Sequence, residues 1–346
     1  MDRLLGRSAQ PFRSMSIWSH DLAPQSLSEV MGNEPIKEIL TQYLAANHMP
    51  DMLLVGSHGT SKRTLARLFI KSYLGDDYER GCLSIDGAVC RGKDVIATAP
   101  QKKADKPSYN GPSVLEFART QISMGGKVKV IVIYNFEDMT TEAQNALRRI
   151  METQAATTRF VLICNNLECI IEAIQSRCVP LHTSLLTPIE ARTLIDQLVA
   201  RVGADPLPYD ISNIIQMLSD GDIKKIINYV QTVVAVPGIN IDRFHQIFNV
   251  PPIKLLEGTL KDTLNRETHE RALERVSFLL TQGYNYGDTL EMLSKILAYG
   301  DVIPEHYRML FLEVLARQYQ ETSLGTANVH LYALFSKFCC IACPRQ

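Results

Sequence analysis

The sequence predicts an α/β core, built as a parallel sheet with flanking helices, followed by a helical lid and a C-terminal all-α domain. Three observations carry this prediction. Val128–Tyr134 and Phe160–Cys164 are almost wholly apolar runs rich in Val and Ile, the composition of central strands covered on both faces. Segments with apolar residues at helical spacing lie before, between and after them, so strands and helices alternate. From about Pro188 onward the strand pattern stops and helical periodicity alone remains.

The elements follow in order. Ile36–Ala46 places Ile36, Ile39, Leu40, Tyr43 and Leu44 on one face of a helix. Met52-Leu53-Leu54-Val55 reads as a short buried strand, ended by Gly56 and a loop through Ser61. Lys62–Leu74 is a second amphipathic helix with Leu65, Leu68, Phe69 and Tyr73 on its apolar side. Between the two Val/Ile-rich runs, Thr140–Glu152 aligns Ala143, Ala146, Leu147, Ile150 and Met151 on one side. Ile189–Val202, Tyr209–Leu218 and Asp222–Val234 read as three lid helices, and Val236-Pro237-Gly238 and Val250-Pro251-Pro252 mark breaks. The expected boundaries are a disordered leader over 1–16, the α/β core over 17–183, the lid over 184–236 and a helical collar over 240–346.

Composition narrows the function classes. The chain has 346 residues, 46% hydrophobic and 21% charged, as in ordinary globular proteins. Its formal net charge of −1 provides no global basic field, so any contact with nucleic acid must come from local patches or a shared surface. No run approaches the ~18 apolar residues of a membrane span. Of the eight cysteines, several sit inside apolar runs and read as reduced core thiols. Cys339, Cys340 and Cys343 have no nearby fourth ligand and read as the end of a packed helix, so no metal is expected. Residues 97–112 are rich in Pro, Lys and Ala, a surface loop exposing Lys102, Lys103 and Lys106. Arg3, Arg7 and Arg13 with only Asp2 against them are compatible with a transit peptide, but no amphipathic helix accompanies them.

Strand, Gly-containing loop and helix over Met52–Leu74 form the context of a phosphate-binding loop. Such a loop reads G-x-x-x-x-G-K-[ST]: backbone amides cradle phosphates, the Lys neutralises charge and the hydroxyl holds Mg²⁺. Here Gly56-Ser57-His58-Gly59-Thr60-Ser61-Lys62-Arg63 keeps Lys62, but Ser61 replaces the second Gly and Arg63 the hydroxyl residue. Thr64 lies one helical step, about 100°, around the axis and is no simple substitute. A carboxylate pair should end the buried strand, one acid for Mg²⁺ and one for the attacking water. Tyr134 and Asn135 stand there instead, and Glu137 and Asp138 come three and four residues after Tyr134, where they are expected to cap the next helix. Two readings of Lys62 remain open: a relic that caps its helix, or a residue that with Arg63 still binds an anion.

The run Lys129–Met151 resembles the replication factor C pattern K-x-I-I-L-D-E-A-D-x-M-T-x-x-A-Q-x-A-L-R-R-x-M-E. Met139-Thr140, Ala143-Gln144, Ala146-Leu147-Arg148-Arg149 and Met151-Glu152 match in register. Thr157-Thr158-Arg159-Phe160, Cys164-Asn165 and Ile171–Cys178 resemble the family's T-T-R-F, C-N and I-I-E-x-I-Q-S-R-C. Upstream, Gly32-Asn33-Glu34, Met49-Pro50 and Leu83–Ile96 fit as well, so the resemblance spans about Trp18 to Pro252. It implies an AAA+ clamp-loader small subunit: a core, a lid and a collar through which related subunits form a hetero-pentameric ring. It also implies partners, namely the other subunits, a sliding clamp and primer–template DNA, and a nuclear location, or a cytoplasmic replication site for a viral chain.

The departures matter. The family's K-Y-R-P is reduced to Asp21-Leu22-Ala23-Pro24, removing residues that meet the nucleotide, and its G-D-x-R-R becomes Gly221-Asp222-Ile223-Lys224-Lys225. The implied nucleotide residues are Gly56, Gly59, Thr60, Lys62, Asn165 and Lys224, holding ATP or ADP without turnover and without a metal. Arg177, in Ser176-Arg177-Cys178, matches the arginine that reaches the ATP of the adjacent subunit. Arg148, Arg149, Lys102 and Lys103 are candidates for DNA contact. The expected role is a clamp-loader subunit that lacks its own hydrolysis and lends Arg177 to a neighbour. A weakly active ATPase using Glu137 or Asp138, and a purely structural scaffold, are the alternatives.

Overall fold

The computed structural model describes residues 17–97, 111–121, 125–236, 238–300, 302–321 and 329–343. The leader over 1–16 and Lys102, Lys103 and Lys106 lie outside them. The chain forms two compact units, Met1–Ala235 and Val236–Gln346.

In the first unit, α1 (Trp18–Asp21) and α2 (Glu34–Ala45) precede β1 (Met52–Val55), α3 (Lys62–Leu74) and α4 (Tyr78–Gly81). Then come β2 (Cys82–Asp86), α5 (Asp94–Ala97), α6 (Val114–Arg119), β3 (Lys129–Tyr134), α7 (Thr141–Thr153), β4 (Thr158–Cys164), α8 (Glu172–Gln175) and β5 (Val179–His182). Among the described residues the strands make one parallel sheet in the order β2-β3-β4-β1-β5. Successive strand residues face opposite sides, and both sides are buried. Leu53, Val55, Ile131, Ile133, Phe160 and Leu162 pack into one core with Leu147 and Ile150 of α7. Met52, Leu54, Val130, Val132, Val161 and Ile163 pack into the other with Leu65, Phe69 and Tyr73 of α3.

Two strands were not anticipated from the sequence, and both are edges. β2 alternates, with Leu83 and Ile85 buried and Ser84 exposed. β5 contains Pro180, which is tolerated because of its row: Val179 N–H donates to Asp51 O (2.8 Å) and Thr183 N–H to Val55 O (2.7 Å), so residue 180 faces away from β1. Lys129 begins β3 almost fully buried. Its ammonium donates to Phe117 O, Ala118 O and Thr120 O (2.8, 2.6 and 2.6 Å), closing the carbonyl end of α6.

Three helices follow the sheet: α9 (Pro188–Val202), α10 (Tyr209–Ser219) and α11 (Ile223–Ala235). A capping box, Thr187 with Glu190, starts α9, and Gly203 in the left-handed region ends it. The three pack on one another through Ile195, Leu198, Ile215, Ile226 and Val230, and α1 lies on α11, where Trp18 N–H donates to Gln231 Oε1 (3.3 Å).

In the second unit, the described helices are α12 (Ile241–Phe248), α13 (Ile253–Thr263), α14 (His269–Thr281), α15 (Tyr286–Tyr299), α16 (Glu305–Glu321) and α17 (Val329–Ala342). Leu256, Leu260, Val276, Leu279, Leu293, Phe311 and Phe335 are buried, and Phe311 stacks on Phe338 at 4.2 Å. Cys339 is buried and Cys340 exposed; all eight thiols are unbridged.

Candidate functional site

The carboxyl ends of parallel strands are where α/β sheets bind ligands, and here β1, β3 and β4 end side by side. β1 leads through Gly56–Ser61 into α3. Gly59 has φ +75°, and a Cβ there would sit 2.1 Å from Asp222 Cγ, so only glycine lets the loop pass against the start of α11. That contact is bonded: Ile223 N–H donates to Gly59 O (3.2 Å), while Asp222 Oδ1 accepts from the Lys224 and Lys225 amides (2.8 and 3.2 Å). Asn33, itself in the left-handed region at φ 56°, ties the loop to the end of β5. Its Oδ1 accepts from Ser184 N–H (2.8 Å), and its Nδ2 donates to Thr60 O and Ser184 O (both 3.4 Å).

Ser61 adopts φ 63° where the motif prefers glycine, a left-handed cap before α3. Lys62 folds over its own loop, its Nζ donating to Gly56 O and Ser57 O (both 2.6 Å) and to Thr60 Oγ1 (3.3 Å). Burial lowers its pKa from the usual lysine range, while Cys164 and Glu137 pull it back up. Arg63 reaches across to the end of β3. Its guanidinium donates to Asn135 Oδ1 (2.9 Å), lies 5.0 Å from the centre of the Tyr134 ring and stands 4.0 Å from Asp86 Oδ2. Asn135 Nδ2 in turn donates to Asp86 Oδ1 (2.9 Å).

Ser61, Lys62, Arg63 and Asn135 are among the residues that line a cavity of about 370 Å³. Of the expected nucleotide residues, Gly59, Thr60, Lys62, Asn165 and Lys224 line it together; Gly56 contributes only the carbonyl that Lys62 engages. The sequence reading missed Arg201, on α9, and Cys164, at the end of β4, whose thiol burial pushes up to about 12. Leu22, Ala23 and Pro24 also line the cavity, so this segment still borders the site although it offers no basic side chain to it. Thr64 reaches the lining too. The charged side chains in the lining are Lys62, Arg63, Arg201 and Lys224 against Glu29, a surplus suited to an anion.

Glu137 and Asp138 do not cap α7 as expected. They sit in a short 3₁₀ turn, Phe136–Asp138, and the Thr140 hydroxyl caps the helix by accepting from Ala143 N–H (3.3 Å). Glu137 Oε1 instead accepts from Asn165, through its amide nitrogen (3.2 Å) and its side-chain Nδ2 (2.6 Å). Its Oε2 is buried with no hydrogen-bond partner, and Glu137 is not among the residues that line the cavity.

Arg177 follows α8 and lies outside this cavity. One guanidinium nitrogen donates to Ala173 O (2.6 Å) and the other pairs with Glu152 Oε1. The same oxygen accepts from Arg148 Nε (3.1 Å), so a single carboxylate holds both arginines. All three side chains are more than a third exposed. Arg149, beside them on α7, is exposed.

The family described as DNA polymerase III, delta subunit, matches residues 32–187. A replication factor C small subunit of Staphylothermus marinus is 29% identical over 302 residues, 85% of this chain and 81% of the relative. One of Methanococcus maripaludis is 35% identical over 221 residues, 63% of this chain and 65% of the relative. Among solved structures, a RuvB variant of Thermotoga maritima superposes with a TM-score of 0.52 at 17% identity, covering 78% of this chain and 90% of that one. The likeness to RuvB shows a shared fold and says nothing of function.

Proposed function

We propose that this chain is a subunit of a replication clamp loader, similar to the replication factor C small subunits it matches, without hydrolysis of its own, and that it lends Arg177 to a neighbour. One observation carries the silent site: every position that would handle the metal and the water holds something else. Arg63 stands for the hydroxyl residue, and Tyr134 and Asn135 for the two acids. Arg63 and Asn135 are bonded to each other. Neither a phenol nor an amide can take a proton from water at neutral pH. Glu137, the acid that a slow ATPase would need, is engaged by Asn165 through Oε1 and is not among the residues that line the cavity.

Arg177 is suited to act in trans. It lies outside its own cavity and is more than a third exposed, with a fork of N–H donors that matches phosphoryl oxygens. A guanidinium placed against a transferred phosphoryl group stabilises the charge that develops in the transition state. In this reading the helical unit over Val236–Gln346 carries the oligomer contacts, and the site of this chain holds ATP or ADP without turnover. Arg148 and Arg149 contact phosphates of primer–template DNA in this reading, which positions the duplex without reading its sequence.

The experiment is clamp- and DNA-stimulated ATP turnover of the reconstituted complex carrying this chain unmodified or as Arg177→Ala. The expected result is a marked fall in complex turnover, about 10³–10⁵ at the site served, with the isolated chain inactive throughout. Unchanged turnover would leave a structural subunit, and turnover by the isolated chain would restore the slow-ATPase reading.

A further inference from the structure

AAA+ sites pair nucleotide with Mg²⁺, and the residues here do not fit that ion. A divalent cation takes oxygen ligands from carboxylates, hydroxyls and phosphates. The position that supplies a hydroxyl is Arg63, and the strand end that supplies carboxylates is Tyr134-Asn135. Among the described residues no group of three His, Cys, Asp or Glu side chains is placed to hold a metal. Asp86, the acid beside Arg63, already accepts from Asn135 and has the Arg63 guanidinium 4.0 Å away, so a cation brought there would meet like charge.

We propose that this cavity binds a nucleoside di- or triphosphate as its metal-free anion, with Arg63 supplying the positive charge that a divalent cation supplies at a hydrolysing site. The inference rests on the reading of this chain as a non-hydrolysing subunit and adds the form in which its ligand is held. Arg63 is the second residue of α3, a helix of 13 residues whose N-terminal residues Lys62, Arg63 and Thr64 line the same cavity. Its guanidinium is fixed but not used up. Asn135 takes one of the five N–H donors, the Tyr134 ring flanks the plane, and the side chain remains 51% exposed. Lys62, Arg201 and Lys224 come from three different helices to the same lining, where Glu29 is the single carboxylate. A polyphosphate can therefore be neutralised entirely by side chains. An arginine differs from the ion it replaces in one decisive way: it has no coordination site at which to activate water, so binding and silence share one cause.

The test uses the purified full chain and fluorescent N-methylanthraniloyl derivatives of ADP and ATP, titrated with Mg²⁺ and with excess EDTA. Affinities should agree within about threefold in the two conditions. Arg63→Ala should weaken both by about tenfold to a hundredfold, the scale of a lost charge-assisted hydrogen bond, and Mg²⁺ should not rescue it. Arg63→Lys, which keeps the charge and loses the fork, should fall between. Tenfold weaker binding in EDTA, or Arg63→Ala binding like the parent, would overturn the proposal. So would absence of binding in both conditions by a chain that melts normally, yet that outcome would leave the trans role of Arg177, read from complex turnover, standing. Conversely, metal-free binding with an Arg177→Ala complex at full turnover would sink the trans role alone.

Discussion

Asn33 allows its two contributions, a backbone conformation and a set of hydrogen bonds, to be separated by two substitutions. It occupies φ 56°, where asparagine is tolerated and alanine is strained, and it is 8% exposed. Both Asn33→Ala and Asn33→Gly delete the short bond from Ser184 N–H and the longer ones to Thr60 O and Ser184 O. That loss is worth about 1–1.5 kcal/mol. Alanine adds about 1–2 kcal/mol of left-handed strain, of which about 0.5–1 kcal/mol is recovered because glycine is the more flexible residue in the unfolded chain. Asn33→Gly should therefore cost about 1–1.5 kcal/mol and Asn33→Ala about 2 kcal/mol, or about 2–6 °C and 4–8 °C in the melting of a unit of this size. Thermal unfolding of the complete chain, followed by near-ultraviolet circular dichroism, reads both. Glycine proving as damaging as alanine, or worse, would refute the strain argument; both variants melting like the parent would refute the hydrogen-bond argument. Since Asn33 anchors the loop at Thr60, both variants should also weaken nucleotide binding.

Ser61 presents the converse case. Ser61→Gly removes a side chain from φ 63° without removing a cap bond, since its side chain makes none, and should raise melting by about 1–4 °C; a lower melting temperature would show that the serine does more than occupy a glycine position. Arg148→Ala and Arg149→Ala should each reduce by about one the slope of log affinity against log salt for primer–template DNA, and an unchanged slope removes them from the DNA surface. In native-state alkylation followed by mass spectrometry, Cys169 and Cys340, both exposed, should label first. Cys164 and Cys178, whose thiols burial pushes up to about 12, should stay protected until the chain unfolds, and equal rates would contradict their placement.

The central strands were legible in the sequence because β1, β3 and β4 are buried on both faces and so appear as unbroken apolar runs. β2 and β5 were not, since one is broken by exposed Ser84 and the other by Pro180, features that belong to edges. α6 did carry a readable signal: Ser113 and Glu116 form a capping box, hidden beside the Pro- and Lys-rich stretch. In the site, the phosphate-loop motif and the family resemblance together implied Gly59, Thr60, Lys62, Asn165 and Lys224 as one group, and all five line one cavity. Arg201 had no such signal, because only the packing of α9 brings it to a loop about forty positions past the chain start of the core. The replacements Arg63 and Asn135 were each legible as losses. Their direct bond, and the part of Asp86 in it, depend on the parallel pairing of β2 with β3, which aligns Asp86 with Tyr134.

The row of outward-facing amides on β5 has a consequence for how copies and relatives of this chain can meet. An open sheet edge is a template on which an extended segment of any chain can add, and uncontrolled addition is a route to aggregation. Val179 and Thr183 spend their N–H groups inward on β1, and at position 180, which faces outward, proline has none to give. A visiting strand would find a gap in the middle of its ladder. Strand-by-strand growth is thereby discouraged at this edge, and association is left to surfaces where side chains, rather than backbone, choose the partner.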